Sequence, residues 1–238
     1  MATGSLPAGF VFGMLALGRL LLRLLGVDRS RRTETAVFAY GLGVSAMSLV
    51  VLGLGLAGVL NATVFCGVLI AATVAETICM VLFRSKQPTP DVRNERAPVG
   101  TIAFCLILIA PMALMMLLGA MSPSTDFDVR EYHLQGPKEH FQNGQITFLP
   151  HNAYTSFPFL TEMLSLLGMV VMGDWHTGAL LGKVLLAAFA PMTAFALLAA
   201  GKRCFDSRTG WLAALVFMTT PWVYRISIIA YALSLIHI

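Results

Sequence analysis

Apolar residues dominate this chain in runs of about twenty, separated by short polar links and by one long polar interruption. The runs fall at 6–27, 35–59, 63–83, 99–121, 177–200 and 211–229. An α-helix needs ~20 apolar residues to cross ~30 Å of hydrocarbon, so six membrane-spanning helices are expected. The alternating ten-residue segments of a transmembrane barrel do not occur. The first run carries Arg19 and Arg23 near its end and can also lie in the interface, both side chains reaching for water. Its length favours a span. The second holds Gly41, Gly43, Ser45, Gly53, Gly55 and Gly58, small residues that let helices approach closely.

Composition strengthens this picture. The chain is 57% hydrophobic and 12% charged, whereas a soluble domain carries about 25% charged residues. The mean hydropathy is +0.78. The fold class expected is an all-α integral membrane protein of about six spans, with a large external loop carrying interfacial helices. The formal net charge of +4 is modest, and no basic run is long enough to indicate nucleic acid as a partner. Cys66, Cys79 and Cys105 lie in apolar runs and Cys204 beside a basic turn, with no CxxC or Cys/His cluster. Neither a disulfide framework nor a zinc site is indicated. No positive segment precedes the first apolar run, as a cleaved signal peptide would require.

Charge asymmetry gives an orientation. The links 28–34, 84–98 and 201–210 are rich in Lys and Arg, while 122–174 has only Arg130 and Lys138. Basic links stay cytoplasmic, which places 122–174 outside, in the plasma membrane's periplasmic or equivalent space. Parity then decides the status of 157–172. As a span it would carry the basic 201–210 link outside, and it is short for one. It is read as an amphipathic interfacial helix.

The polar interruption holds six of the twelve acidic residues and, with His176 just beyond it, four of the five histidines. Asp126-Phe127-Asp128 is a DxD triplet, whose carboxylates in an extended turn can share a divalent cation. The plainer alternative has Asp128 and Glu131 as a helix-capping pair and Asp126 with Arg130 as an i,i+4 ion pair. A helix from 129 to 135 would place Asp128, Glu131 and Tyr132 on one face, with Gly136-Pro137 breaking it. A second short helix, 137–142, would end at Asn143-Gly144. His133, His140 and Lys138 could then line one polar surface. Within the apolar runs, Glu76 is either functional or paired to a neighbouring helix. Lys183 and Arg225 fall near the outer ends of their spans, where they meet either a lipid phosphate or ordinary headgroups.

The stretch Thr125-Asp126-Phe127-Asp128, Tyr132-His133-Leu134, Gly136-Pro137-Lys138, Gly144-Gln145-Ile146, Phe148 to Asn152, Phe157-Pro158 and Glu162-Met163-Leu164 resembles multi-spanning bacterial glycosyltransferases of the GT-C type. These are related to protein mannosyltransferases and lipid A aminoarabinose transferases. The resemblance covers about residues 100–232. It implies transfer of a sugar from a polyprenyl-phosphate donor, a lipid-linked partner, to an acceptor on the outer face. Asp128 matches the family's catalytic acid residue, with general base as its implied role. Asp126 would assist it, or hold a divalent ion, magnesium or manganese, together with Asp128. Tyr132, His133, Lys138 and Lys183 are the implied substrate-binding residues. Arg130 and Glu131 depart from the small or apolar residues expected beside the motif.

On this reading 1–98 is an N-terminal set of spans without an assigned role, and 99–232 begins the glycosyltransferase-like core with its loop at 122–174. The ending Leu233-Ser234-Leu235-Ile236-His237-Ile238 matches the translation of a transposase-derived sequencing adapter. It is read as an artefact, so a fragment lacking the later spans, and inactive alone, is expected. The rival functions are a secondary transporter, with Glu76 and Lys183 as its sites, and a non-catalytic membrane scaffold.

Overall fold

A computed structural model describes residues 5–27, 32–82, 97–156 and 159–229. The adapter-like ending, most of the 28–34 and 84–98 links and the Phe157-Pro158 pair lie outside these residues. The described residues are helical and contain no strand. Ten α-helices run α1 (Ser5–Leu24), α2 (Arg32–Leu56), α3 (Ala62–Leu82), α4 (Val99–Ala120), α5 (Gln135–Asn143), α6 (Met163–Met172), α7 (Trp175–Ala187), α8 (Phe189–Cys204), α9 (Ser207–Thr219) and α10 (Pro221–Ser227). A π-helical turn, Val129–His133, and a 3-10 turn, Ala153–Ser156, lie in the polar interruption.

Five helical stretches are long and apolar enough to cross a membrane: four are α1 to α4, and the fifth runs from Trp175 to Cys204. Only 11% of the apolar window of α4 is buried, and Phe104, Leu106, Ile107 and Leu114 face outwards from it. An apolar surface of that extent is stable against lipid and not against water. This is a multi-pass membrane protein.

The fifth stretch is α7 followed by α8, jointed at Ala188. Pro191 has no N–H for the Ala187 carbonyl, and its ring crowds that carbonyl. The sixth expected span is not one helix. α9 and α10 part at Thr220, whose ψ of 121° is extended, because a residue preceding proline is driven out of the helical region. Neither piece, at 13 and 7 residues, reaches across hydrocarbon by itself.

Helix pairs are drawn together where side chains vanish. A Cβ on Gly18 would fall 1.7 Å from the Ala39 carbonyl oxygen, and one on Gly43 1.8 Å from that of Met14, so α1 and α2 touch backbone to backbone. Gly168, Gly178 and Gly182 do the same for α6 and α7, and Gly201 with Gly210 for α8 and α9. Of the small residues expected to pack on α2, Gly43 and Gly55 do, while Gly41 and Gly53 have nothing within 4 Å.

One expectation fails in an informative way. The described residues of the 157–172 segment do not form an amphipathic helix on a membrane face. Eight of the ten residues of α6 are buried, on every side of the helix. Met163, Leu164, Leu166 and Leu167 sit in the main core with Tyr40, Met47, Phe65 and Leu185. Ten residues give about 15 Å of helix, so α6 is an internal plug that ends at Gly173 (φ 65°) and turns into α7.

The ends of the bundle are chemically distinct. At one, Arg203 of α8 meets Glu34 of α2 at 3.1 Å. Nearby on the parallel helices α1 and α3, the buried Glu76 carboxylate lies 2.9 Å from Arg19 Nε and 2.9 Å from Arg23 Nε. Glu76 is thus paired to a neighbouring helix. At the other end the polar interruption folds down on the helices, Ile146 N–H donating to the Gly55 carbonyl at 2.9 Å.

Candidate functional site

The polar interruption starts where α4 ends. Met121 and Ser122 continue the last turn of α4 through bonds to the Leu117 and Gly119 carbonyls. Lys183, only 3% exposed on α7, donates its ammonium to the Ser122 carbonyl at 2.5 Å, fixing the start of the loop against the bundle.

Residues 126–135 then form a short wall. Its π-helical turn closes with Leu134 N–H on the Val129 carbonyl. Asp128 makes no side-chain cap, and its backbone is already helical, so the capping-pair alternative fails. The i,i+4 pair of Asp126 with Arg130 also fails, because the Asp126 carboxylate takes a hydrogen bond from Arg225 Nη2 at 2.7 Å. The break falls at Leu134, and Gly136-Pro137 opens α5 where it was expected to end the preceding helix. Proline is tolerated in a first turn, whose N–H groups have no helical partner. Gly136 is required by crowding: a Cβ there would lie 2.8 Å from Phe159 and 2.9 Å from Thr155. α5 ends at Gly144 in the left-handed conformation (φ 70°), as its sequence indicated.

The wall separates two cavities. The first, about 690 Å³, lies against α5 and α7 and takes in Arg130, Lys138, His176 and Lys183 with one carboxylate, Glu131. Its cations outnumber its acids, and the Lys138 ammonium stands 4.1 Å above the Trp175 ring, a cation–π contact that fixes it. The second is an open cleft of about 940 Å³ lined by Asp128, Glu131, Tyr132, Glu139, His151, Asn152 and Tyr154. Asp128, Glu131 and Tyr132 do share one face, that of this cleft.

Hydrogen bonds shape the cleft. Asn152 Nδ2 donates to the Glu131 carbonyl at 2.8 Å, clamping the 151–154 loop to the wall, and Tyr154 stacks on Tyr132 with centroids 5.0 Å apart. Desolvation raises the Tyr132 phenol above its ordinary 10.0, and the adjacent Asp128 charge pushes in the same direction. Burial alone would raise the Glu139 carboxyl, but hydrogen bonds from Gln135 and His151 hold it below its ordinary 4.5.

His133 and His140 do not join Lys138 on one surface. His133 Nδ1 lies 2.6 Å from Glu162 Oε1, and both are buried; this pins the wall to the start of α6. His140 is 3% exposed on the inner side of α5. Burial holds its imidazole below the ordinary 6.5 against the opposing charge of Glu139. Of the residues singled out in the sequence, Lys138 and Lys183 line the first cavity, and Asp128 and Tyr132 line the cleft. Asp126 is turned to Arg225 and His133 to Glu162.

The residues do not fit a resident divalent cation. Among the described residues no three His, Cys, Asp or Glu side chains converge. Asp126 is occupied by a guanidinium while Asp128 faces the cleft, so the two carboxylates of the triplet do not act on a common point.

A third space, about 420 Å³ and almost entirely apolar, runs between α1, α4 and α7, past Val11, Met116, Met121, Val184 and Ala187. Leu180 and Lys183 line the first cavity and Val184 and Ala187 the groove, and their i,i+3 and i,i+4 spacing sets the two spaces end to end along one face of α7. Sequence reading missed this groove, the Lys138–Trp175 contact and the Glu162 anchor. Trp175, an aromatic at the head of a span, was the one local signal available. The chain matches no protein-family model, and no curated protein or solved structure shows significant similarity to it.

Proposed function

We propose that this chain carries the donor-binding side of a membrane glycosyltransferase of the GT-C type, moving a sugar from a polyprenyl phosphate to an acceptor hydroxyl at the outer face. One observation carries the reading: a cationic cavity with Arg130, Lys138 and Lys183 adjoins an apolar groove between helices. A lipid-linked phosphate has these two chemistries in one molecule, and a cluster of cations suits its phosphate. The resemblance of 124–164 to that family supports the same reading.

In the reaction the acceptor oxygen attacks the anomeric carbon as the bond from that carbon to the phosphate oxygen breaks. The electron pair leaves on the phosphate, where Lys183, Lys138 and Arg130 offset the charge. The hydroxyl proton passes to Asp128, exposed beside Arg130 and Glu131, which line both cavities, so that the acceptor is taken at their shared rim. Asp126 contributes by holding Arg225 at the loop's start.

Two measurements test this. A photoactivatable polyprenyl phosphate should label the protein in membranes, and Lys183→Met should reduce labelling. In the full-length gene product, transfer of radiolabelled sugar from the donor should fall by about 10²–10⁴-fold in Asp128→Asn, the usual worth of a general base, while labelling persists. Wild-type transfer by Asp128→Asn would remove the assigned base; absence of lipid labelling would overturn the reading.

A further inference from the structure

The wall between the cationic cavity and the open cleft has a ridge common to both. Phe127, Arg130, Glu131 and Gln135 line the cavity on one side and the cleft on the other. Their spacing of i, i+3, i+4 and i+8 gathers them on one edge of a helical segment. A molecule with its phosphate beside Lys138 and Lys183 and its reacting carbon in reach of Asp128 lies across this ridge.

Phe127 is the member whose presence the loop itself does not explain. It stands between two aspartates with 73% of its surface exposed. Among the described residues no aromatic ring packs on it. Beside it, the Glu131 carboxylate takes no hydrogen bond from the described residues; its backbone carbonyl is the atom that Asn152 holds. An apolar ring next to open acceptors suits a ligand with a C–H face and hydroxyls at its edge. A purely apolar group would strip water from the acceptors without replacing it, and a second anionic group would be repelled by Asp128 and Glu131.

We infer that the sugar ring of a glycosyl phosphate lies on this ridge, its C–H face against Phe127 and its phosphate in the cationic cavity. This deepens the proposed function and rests on it for the lipid alone: Phe127 becomes the residue that reads the transferred sugar. The contact itself asks only for a glycosyl phosphate, lipid-linked or free.

The test is saturation-transfer NMR on the protein in nanodiscs. The probes are glucose, galactose and mannose 1-phosphates, methyl glucoside without the phosphate, and uridine 5′-phosphate as a phosphate carrying a planar base. The sugar-ring protons of at least one hexose 1-phosphate should receive more saturation than those of methyl glucoside and than with an empty nanodisc. That signal should fall roughly threefold in Phe127→Ala, the scale of one aromatic contact. It should persist in Phe127→Tyr, be lost in Lys138→Met, and stay unchanged in Phe205→Ala, a remote exposed residue. No hexose phosphate signal, an equal signal in Phe127→Ala, an equal signal from methyl glucoside, or a stronger one from the nucleotide would overturn the inference. Polyprenyl-phosphate labelling separates the two readings. A Phe127-dependent hexose phosphate signal without lipid labelling leaves the ridge and removes the lipid donor. Lipid labelling with a sugar signal indifferent to Phe127 removes the ridge and leaves the donor site.

Discussion

Arg225 Nη2 donates to Asp126 Oδ1 at 2.7 Å across 99 residues of sequence. This ties α10, the last described helix, to the first acidic residue of the loop. Arg225 is 53% exposed and Asp126 19%, so the pair is screened on one side. A double-mutant cycle of Arg225→Ala and Asp126→Ala on thermal unfolding in detergent should return a coupling of about 0.2–1 kcal/mol. A coupling of zero would mean that the two ends of the polar region are held together by packing alone.

Glu76 stands in a different regime. It is 2% exposed and answers two guanidinium groups, so Glu76→Gln leaves Arg19 and Arg23 facing each other in an apolar bundle. The expected loss is about 3 kcal/mol, the lower end for breaking a buried ion pair, because Arg19 is 37% exposed and can turn towards water. Glu34→Gln, whose partner Arg203 is 69% exposed and can turn towards water, should cost less than Glu76→Gln. Equal losses for the two would show that Glu76 is solvated in the membrane.

The glycines divide by what a methyl group would strike. At Gly178 it would lie 2.2 Å from Met169 Cα and 2.4 Å from Met169 N, backbone that cannot yield without separating α6 from α7. Gly178→Ala should destabilise by about 1–3 kcal/mol or more. Gly53 has nothing within 4 Å, so Gly53→Ala should stabilise by up to ~1 kcal/mol through helix propensity. Unfolding in a graded denaturing detergent reads both signs.

These contrasts mark what the sequence could and could not reveal. Runs of about twenty apolar residues place α1 to α4 to within a few positions, and Asn143-Gly144 marks the end of α5 because few residues other than glycine accept a positive φ. Proline is where run-length reading failed, since Thr220-Pro221 splits one apolar run while hydropathy stays high. α6 was misread for a related reason: ten apolar residues buried on all sides and a half-buried interfacial helix differ little in composition, and only the backbone contacts at Gly168 and Gly178 distinguish them. In the candidate site, spacing put Asp128, Glu131 and Tyr132 on one face, while the roles given to Asp128, Tyr132 and Lys138 came from the family resemblance. Arg225, Trp175 and Glu162 reach their partners through tertiary folding, which spacing does not encode.

His140 supplies a pH signature outside the spanning helices. Its folded-state value lies below 6.5, so the unfolded chain takes up a proton first as the medium is acidified. The native state keeps its full stability above 6.5 and loses part of it as pH falls from there through the lowered folded value. Glu139 remains ionised over this interval, its own value lying below 4.5. Between about pH 7.5 and about pH 5 the melting temperature of the wild type should drop further than that of His140→Gln. Parallel drops would show that His140 is solvated in the folded protein.

The last prediction concerns which way the bundle faces. Arg203 at the foot of α8 binds Glu34 near the start of α2, and Ile146, just past α5, binds the Gly55 carbonyl near its end. The stretch of α2 from Glu34 to Gly55 therefore separates Cys204 from Asn143 by about 32 Å along the helix, comparable to the hydrocarbon thickness. Both positions are exposed. Basic segments stay on the cytoplasmic side, from which we predict Lys202, Arg203 and Arg208 there and the polar cavities outside. An impermeant maleimide should label Asn143→Cys in intact cells and the native Cys204 only after permeabilisation. The opposite pattern would invert the topology and move the proposed transfer to the cytoplasmic face, and labelling of both in intact cells would mean that α2 does not span.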